Sequence, residues 1–320
     1  MHLVVATDEQ KAQRDALTWS EWGALLTPEG YAARELRLRS HPWARSDMRT
    51  WLLCEDDGAV LASCETFRTD SFLRPPGGAL LPGDSFAIAS VFTEERLRGR
   101  GYATRLMDLL AAELERQPRA QAALLFSDVG PRIYARSGYQ ELPAWDWHLA
   151  PAPGAPGETV EALLREEDLA RALGRLRRPE GPFFFWPSPA QLDWHLERGR
   201  IYVEHLAGCS LPASIGATVG DSTALWGLVG RSAELTVLMF DARSLADSTA
   251  LLQAARREAS RSGLSRVVLW EEPGLAPLLP LPLVEGVTRV AREGSLPMVR
   301  PLLPELPRSP LLPVPRALWV

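Results

Sequence analysis

The feature that most constrains this chain is a glycine turn at residues 98–103, Arg-Gly-Arg-Gly-Tyr-Ala, which separates an apolar segment from an amphipathic one. Ser85–Thr93 is predicted to be a strand, and Ala103–Arg116 is predicted to be a helix with leucines repeating on one face. A strand, a glycine turn and a helix in this order point backbone N–H groups and the helix dipole at one place. The expected ligand there is an anion such as a pyrophosphate, which glycine allows to approach the backbone closely.

Two common phosphate-binding motifs do not fit this turn. A dinucleotide fold requires a third glycine where Thr104 stands, and a P-loop requires a Gly-Lys-Ser/Thr sequence that is absent. Arg98, Gly101 and Ala103 do fit the pattern Arg/Gln-x-x-Gly-x-Gly/Ala. This segment resembles motif A of the GNAT acetyltransferases. The alternative is a capped helix end with solvated arginines.

A second segment resembles motif B of the same family. Ser127–Tyr139 begins at the end of a predicted strand, Ala122–Phe126, and contains a predicted short helix, Pro131–Ser137, that carries Tyr134. The resemblance implies that Tyr134 lies beside the sulfur of CoA, where a phenol can donate a proton to the departing thiolate. The alternative is a tyrosine that only packs against the sheet. Ser127 stands where many relatives have asparagine, which leaves its role open.

The family resemblance implies a fold, a co-substrate and a set of binding residues. The fold class is α/β (α+β): a GNAT acyltransferase fold with a mixed, splayed central sheet. The co-substrate is acetyl-CoA, and its acetyl group passes directly to the acceptor amine in a ternary complex without a covalent cysteine intermediate. The pantetheine arm is expected along Val91, Phe92 and Thr93, and the pyrophosphate at Arg98, Gly99, Arg100, Gly101, Tyr102, Ala103 and Thr104.

The chain is predicted to contain two domains. Pro151–Gly157 holds three prolines and two glycines, which suit a linker between a GNAT domain at residues 1–150 and a companion domain at residues 158–320. In the second domain, Leu235–Phe240, Ser248–Ser262 and Arg266–Trp270 form another strand–helix–strand pattern without a glycine turn. We therefore expect an α/β domain there that is a degenerate GNAT-like copy.

Three further elements are predicted around this linker. Tyr139–Leu149 is predicted to be one strand that completes the first domain, and Val160–Arg177 to be a helix. Residues 273–320 hold eleven of the 27 prolines, so this part should be extended and should pack on the surface.

The resemblance continues in short islands over most of the chain. Trp51–Leu53, Leu61–Arg68 and Phe126–Pro131, and later Trp194–Arg198 and Val268–Glu271, are similar to the lysine N6-acetyltransferases of the fungal type. That likeness implies a small-molecule amine, free L-lysine, acetylated on its side chain. A protein N-terminus, a protein lysine or an aminoglycoside are the alternative acceptors, and a non-catalytic CoA-binding protein is the alternative to an enzyme.

Three residues are candidates for handling the acceptor amine, which must lose a proton before it attacks. Glu65 is placed on a strand that should border the cleft, and Asp128 follows the strand before motif B. Either could accept the proton or hold a cation, and either could be an ordinary strand-edge carboxylate. His195, beside Trp194, is the candidate from the second domain, unless its imidazole is a satisfied part of an aromatic core.

Composition excludes several other classes of protein. A net charge of −5 and a pI of about 5.7 argue against binding to nucleic acid. There is no run of about 18 apolar residues to span a membrane, and residues 1–9 do not resemble a signal peptide. The three cysteines, Cys54, Cys64 and Cys209, form no C-x-x-C pair, so neither a disulfide framework nor a metal site is expected. The predicted location is the cytoplasm.

Overall fold

The computed structural model describes residues 1–154, 160–279, 286–306 and 312–320, which fold into two mixed β-sheets with helices packed against them. The elements up to residue 149 are β1 (His2–Val5), α1 (Asp8–Trp22), α2 (Pro28–Ser40), α3 (Pro42–Asp47), β2 (Met48–Cys54), β3 (Val60–Leu73), β4 (Leu81–Phe92), α4 (Tyr102–Glu115), β5 (Ala120–Ser127), α5 (Arg132–Ala135), β6 (Gln140–Glu141) and β7 (Trp145–Leu149). The later elements are β8 (Glu161–Leu163), α6 (Asp168–Arg175), β9 (Phe183–Trp186), α7 (Pro189–Tyr202), β10 (Gly216–Val219), β11 (Ser222–Gly227), β12 (Glu234–Asp241), α8 (Leu245–Arg261), β13 (Arg266–Trp270), β14 (Val287–Ala291) and β15 (Leu296–Pro301). Short 3-10 turns lie at Glu95–Leu97, Val203–His205, Ala276–Leu278 and Arg316–Leu318.

Each sheet is built around one parallel strand pair with a helical crossover. The first sheet has the order β1-β2-β3-β4-β5-β15-β6, with β9 added to β3, and its parallel pair is β4 with β5, joined through α4. The second sheet has the order β14-β7-β13-β12-β11-β10-β8, and its parallel pair is β12 with β13, joined through α8. The predicted α/β fold with a second GNAT-like unit is confirmed in this repeated architecture.

The two crossover helices cover separate apolar cores. In α4, Leu106, Met107 and Leu110 are fully buried against the first sheet, as the spacing of its leucines predicts. In α8, Leu251 and Ala255 are buried against the second sheet. Within the described residues, no helix is both long enough and apolar enough to cross a membrane.

The central sheet is splayed where the resemblance predicts it. β4 and β5 pair from Asp84 and Ala120 up to Ile88 and Leu125, and no further pair follows. Beyond that point the pairing of β4 with β3 shifts, with Ser90 at a φ of +52°. The opposite edge of β5 pairs with β15 as far as Ser127. A bulge bends a strand away from its neighbour, so a gap opens between the ends of β4 and β5.

Strands cross between the two halves of the chain. β7, which precedes the predicted linker, pairs with β13 and β14 in the second sheet, and β9 and β15 pair with strands of the first sheet. The prediction of a single strand at Tyr139–Leu149 is therefore wrong: β6 and β7 belong to different sheets. Pro143, which cannot donate a ladder hydrogen bond, lies between them. Residues 155–157 of the predicted linker lie outside the described residues, and the division near residue 150 stays a prediction.

Two predictions for the second half need correction. Val160–Arg177 is not one helix, because β8 pairs with β10 at the sheet edge before α6 begins at Asp168. The proline-rich end does not simply cover the surface. β15 is an interior strand of the first sheet, with Met298 and Val299 buried, and Ala317 and Leu318 are fully buried as well. Apolar side chains between the prolines make that burial favourable.

Candidate active site

The glycine turn leaves a helix N-terminus uncapped. Gly99 and Gly101 have φ values of +80° and +81°, a backbone conformation that residues other than glycine rarely adopt. A Cβ added to either glycine would meet no protein atom within 4 Å. No side chain caps α4, whose first helical bond runs from the Arg105 N–H to the Gly101 carbonyl at 3.0 Å. Among the described residues, the N–H groups of Tyr102, Ala103 and Thr104 have no acceptor. Free N–H groups at a helix N-terminus fit a pyrophosphate.

The arginines of the turn are exposed, and Arg98 also stabilises the turn through its own contacts. Arg98 Nε donates to the Thr93 carbonyl at 3.0 Å, and its guanidinium also pairs with Glu21 at the end of α1. Arg100 makes a weak bond to the Arg96 carbonyl at 3.4 Å. Arg98 therefore holds the turn against the end of β4, which is a structural role in addition to the predicted one.

The end of β4 runs from the splay to the glycine turn. Val91, Phe92 and Thr93 are half-buried, and Phe92 packs edge-on against Trp22 with ring centroids 6.0 Å apart. The Thr93 hydroxyl is buried and has no partner among the described residues. An unpaired buried hydroxyl and a strand edge without a neighbour are groups that a bound polar chain such as pantetheine could satisfy.

Tyr134 lies in the apolar cluster beneath α4. It packs in the same cluster as Cys64, Ile88 and Val91, which come from the strands beside the gap. Burial raises the pKa of Tyr134 to about 12, with Cys64 and Asp128 adding to the shift, so its hydroxyl is protonated at neutral pH. No hydrogen bond of this hydroxyl occurs within the described residues.

The Cys64 side chain is fully buried. Burial raises the pKa of its thiol to about 12, which makes a thiolate nucleophile unfavourable at neutral pH.

Glu65 is held in a buried ion pair. Arg14 Nη1 lies 2.9 Å from Glu65 Oε1, and only 4% and 5% of the two side chains is exposed. The same guanidinium donates to the Ser63 hydroxyl and to the Ser90 carbonyl, both at 2.9 Å. Burial raises the pKa of the Glu65 carboxyl and Arg14 opposes that shift. This network ties α1 to the bulged part of β3 and β4, a role that the sequence does not reveal because Arg14 has no local partner.

We predict that Arg14→Met lowers the free energy of unfolding by about 3–5 kcal/mol, because it leaves the Glu65 charge buried and unpaired. Urea denaturation of the purified variant measures this loss. Arg116→Met is the control, since it breaks an exposed pair with Glu113 and should cost less than about 0.5 kcal/mol. An equal, small loss in both variants would contradict a stabilising role for the buried pair.

Asp128 is exposed and fixes a loop from the other half of the chain. Its Oδ1 accepts hydrogen bonds from the Ser295 N–H at 2.7 Å and from the Ser295 hydroxyl at 3.3 Å. Ser127, which departs from the family pattern, donates its hydroxyl to the Gly130 carbonyl at 2.7 Å and so closes the turn before α5.

His195 is a core residue. It is fully buried, its Nε2 donates to the Ala317 carbonyl at 2.8 Å, and burial lowers its pKa to about 3. It is therefore neutral, and it positions the 3-10 turn at Arg316–Leu318.

A cavity of about 300 Å³ lies where the two halves of the chain meet. Both candidate carboxylates line it, and Ala89 and Ser90 connect it to the splayed end of β4. The structure therefore brings Glu65 and Asp128 to one cavity next to the gap, whereas His195 stays outside. The cavity lining includes Glu65, Ser90 and Asp128 from the first half, and Arg198, Arg316 and Trp319 from the second.

Two family profiles match the chain, one in each half. The profile of the Acetyltransferase (GNAT) family matches residues 15–140, and that of the LYC1 GNAT-like C-terminal domain matches residues 159–302. The chain is 25% identical over 326 residues to a protein of Yarrowia lipolytica named lysine acetyltransferase, and the match covers 81% of this chain and 82% of that protein.

Several solved structures share the fold. A probable N-acyltransferase from Enterococcus faecalis has a TM-score of 0.59 at 14% identity, covering 94% of this chain and 72% of that one. A GCN5-related N-acetyltransferase from Kribbella flavida has a TM-score of 0.58 at 16% identity, with the same coverage of 94% and 72%. Eis1 from Mycobacterium abscessus has a TM-score of 0.58 at 16% identity, covering 94% and 74%.

Proposed function

We propose that this chain, a GNAT acetyltransferase with GNAT profile matches in both halves, transfers the acetyl group of acetyl-CoA to the primary amine of a small molecule, with free L-lysine as the first acceptor to test. The observation that carries the proposal is the course of β4. Its residues Ala89 and Ser90 line the cavity between the halves, and a few residues later the chain reaches the uncapped N-terminus of α4. A thioester along this strand would have its pyrophosphate at the helix and its acetyl group at the cavity. The cytoplasm is the compartment we propose for this activity.

The reaction replaces the carbon–sulfur bond of the thioester by a carbon–nitrogen bond and releases one proton. The amine nitrogen attacks the thioester carbonyl, the carbon–sulfur bond breaks, CoA leaves as a thiolate and the nitrogen gives up a proton. Tyr134 is proposed to donate a hydrogen bond to the sulfur as its negative charge develops. With a pKa of about 12 it holds its proton more tightly than a thiol of pKa about 8.5, so stabilisation of the thiolate is its expected contribution.

Of the two carboxylates, Asp128 is the better candidate to face the amine. Glu65 already forms an ion pair with Arg14, so its negative charge is largely neutralised and is less available to a substrate cation. Asp128 is exposed at the cavity and uses one oxygen for Ser295, which leaves the other free to receive a cation or a proton. Glu65 is then a positioning residue that holds the bulged strands in place.

The cavity also favours a small acceptor. At about 300 Å³ it is at the lower end of small-molecule sites, and side chains from both halves of the chain form its walls. A lysine on a folded protein would have to enter between these walls, whereas a free amino acid such as L-lysine is small enough to fit in the cavity. The likeness to a protein named lysine acetyltransferase supports the same choice.

An amine panel tests the proposed function. We expect thiol release from acetyl-CoA with L-lysine and not with lysine-containing peptides, measured with the purified chain over free amino acids, polyamines, aminoglycosides and peptides. Release with peptides alone would replace this proposal by a protein acetyltransferase. No release with any amine, together with tight CoA binding, would indicate a non-catalytic CoA-binding protein.

A further inference from the structure

Two arginines of the second half reach the cavity with aromatic contacts only. Arg198 of α7 and Arg316 of the 3-10 turn both line it, and neither forms an ion pair or a hydrogen bond within the described residues. Arg198 is only 8% exposed. The Nε of Arg198 and the Nη1 of Arg316 are buried without an acceptor. Buried guanidinium donors of this kind are costly unless an anion compensates them.

The other buried arginines around the cavity are compensated. Arg34 pairs with Glu35 and bonds to the Tyr202 hydroxyl, and Arg39 pairs with Asp15. The lack of an ion pair therefore distinguishes Arg198 and Arg316 from Arg34 and Arg39.

The two guanidinium groups stack on the same indole ring, so their central carbons are at most about 8.4 Å apart. Arg198 is 4.4 Å and Arg316 is 4.0 Å from the centroid of the same indole ring, that of Trp319. Burial lowers the pKa of Arg198 to about 10, and burial followed by the charge of Arg198 lowers the pKa of Arg316 further. Two cations on one ring repel each other, and an anion bound between them would relieve that repulsion.

The backbone that carries Arg316 is anchored to the helix that carries Arg198. The Ala317 carbonyl, next to Arg316, accepts hydrogen bonds from His195 Nε2 at 2.8 Å and from Gln191 Nε2 at 3.0 Å. Both donors belong to α7, the helix that carries Arg198. The backbone positions of the two arginines are therefore fixed relative to each other, and both side chains stack on Trp319, which lowers the entropy cost of binding.

We infer that Arg198 and Arg316 bind the carboxylate of the acceptor, so that the substrate class is free amino acids with a distal primary amine. This inference rests on the proposed function. The phosphates of CoA already have a site at residues 98–104, whereas this pair shares its cavity with the carboxylates Glu65 and Asp128. The cavity therefore holds both an uncompensated cationic pair and carboxylates, which fits a zwitterion that carries a carboxylate at one end and an ammonium at the other. A polyamine, an aminoglycoside or an internal protein lysine lacks that carboxylate.

Matched acceptors test the inference directly. L-lysine, L-lysinamide and cadaverine all have the same distal amine. Lysinamide has an amide in place of the carboxylate of lysine, and cadaverine has only a hydrogen there. With the wild-type chain we expect kcat/KM to fall roughly 10- to 100-fold from lysine to either analogue, the usual worth of a charged hydrogen bond. 6-Aminohexanoate, which keeps the carboxylate and loses the α-amine, should stay near lysine. Equal kcat/KM for lysine and cadaverine would overturn the inference.

Variants assign the effect to the arginines. Arg198→Met and Arg316→Met should each raise KM for lysine roughly 10- to 100-fold, abolish the preference for lysine over cadaverine and leave KM for acetyl-CoA unchanged. Arg198→Lys should recover part of the preference. Arg178→Met is the matched control, because Arg178 also stacks on aromatic rings, forms no ion pair with the residues that the structure describes, and lies outside this cavity. Preference for lysine that survives in both cavity variants would overturn the inference.

A binding measurement separates this inference from the proposed function. Calorimetric titration of lysine and lysinamide into the CoA-saturated chain should show at least about 10-fold tighter binding of lysine, lost in Arg198→Met and in Arg316→Met. If no amine is acetylated but this difference is found, the proposed function is wrong and the carboxylate site stands. If amines are acetylated and the difference is missing, the proposed function stands and the carboxylate site is wrong.

Discussion

Gly101→Asp is expected to abolish measurable acetyl-CoA binding while the chain remains folded. The substitution places a carboxylate beside the free N–H groups of Tyr102, Ala103 and Thr104, where the pyrophosphate should bind. Like charges in contact cost several kcal/mol, and each 1.4 kcal/mol is about a tenfold change in affinity. Calorimetric titration should therefore show Kd raised more than about 100-fold.

The control for Gly101→Asp is Gly77→Asp. Gly77 has a φ of +67° and no atom within 4 Å of an added Cβ, so it imposes the same backbone strain as Gly101 in a turn at the opposite end of β4. Both variants should lose a similar small amount of thermal stability, and only Gly101→Asp should lose CoA. If Gly101→Asp binds acetyl-CoA with wild-type affinity, the proposal that the pyrophosphate binds at this turn is wrong.

Tyr134→Phe is expected to lower kcat roughly 100-fold or more without changing the affinity for CoA. A donor that stabilises charge only in the transition state contributes on this scale, and its loss appears in kcat more than in KM. Because the pKa of Tyr134 is about 12, the hydroxyl of the wild-type residue should remain a donor over the whole neutral and mildly basic range.

Tyr139→Phe is the control for that prediction. Tyr139 packs edge-on against Tyr134 with ring centroids 6.3 Å apart, and its buried hydroxyl has no partner among the described residues. Removing this hydroxyl should leave turnover unchanged. Equal turnover in wild type and Tyr134→Phe would mean that Tyr134 is structural and that water, not the phenol, stabilises the departing thiolate.

Local patterns predicted the strand, the glycine turn and the helix at which we propose that CoA binds. The strand before the turn was expected at Ser85–Thr93 and lies at Leu81–Phe92, and the helix was expected at Ala103–Arg116 and lies at Tyr102–Glu115. These elements depend on neighbouring residues: glycines with positive φ, and leucines at helical spacing over one core. A single sequence contains that information.

The acceptor half depends on contacts between residues that are far apart in the chain. Arg14 and Glu65 are separated by 51 residues and pair only because α1 packs against the bulged strands. β7 and β15 exchange sheets, which no periodic pattern indicates, and this exchange brings the turn at Arg316–Leu318 to the cavity. Arg198 lies one helical turn after Trp194 and stacks on its ring, but nothing in the sequence indicates that it lacks an ion partner among the described residues.

The product formed from L-lysine tests the central claim most directly. The purified chain is incubated with acetyl-CoA and L-lysine labelled with ¹⁵N on its side chain, and the product is identified by NMR and mass spectrometry. We predict acetyl-lysine with the label in the amide, and one CoA thiol released for each molecule formed. Acetylation of the unlabelled α-amine, or thiol release without acetyl-lysine, would contradict the proposal that this enzyme acetylates the distal amine of a free amino acid.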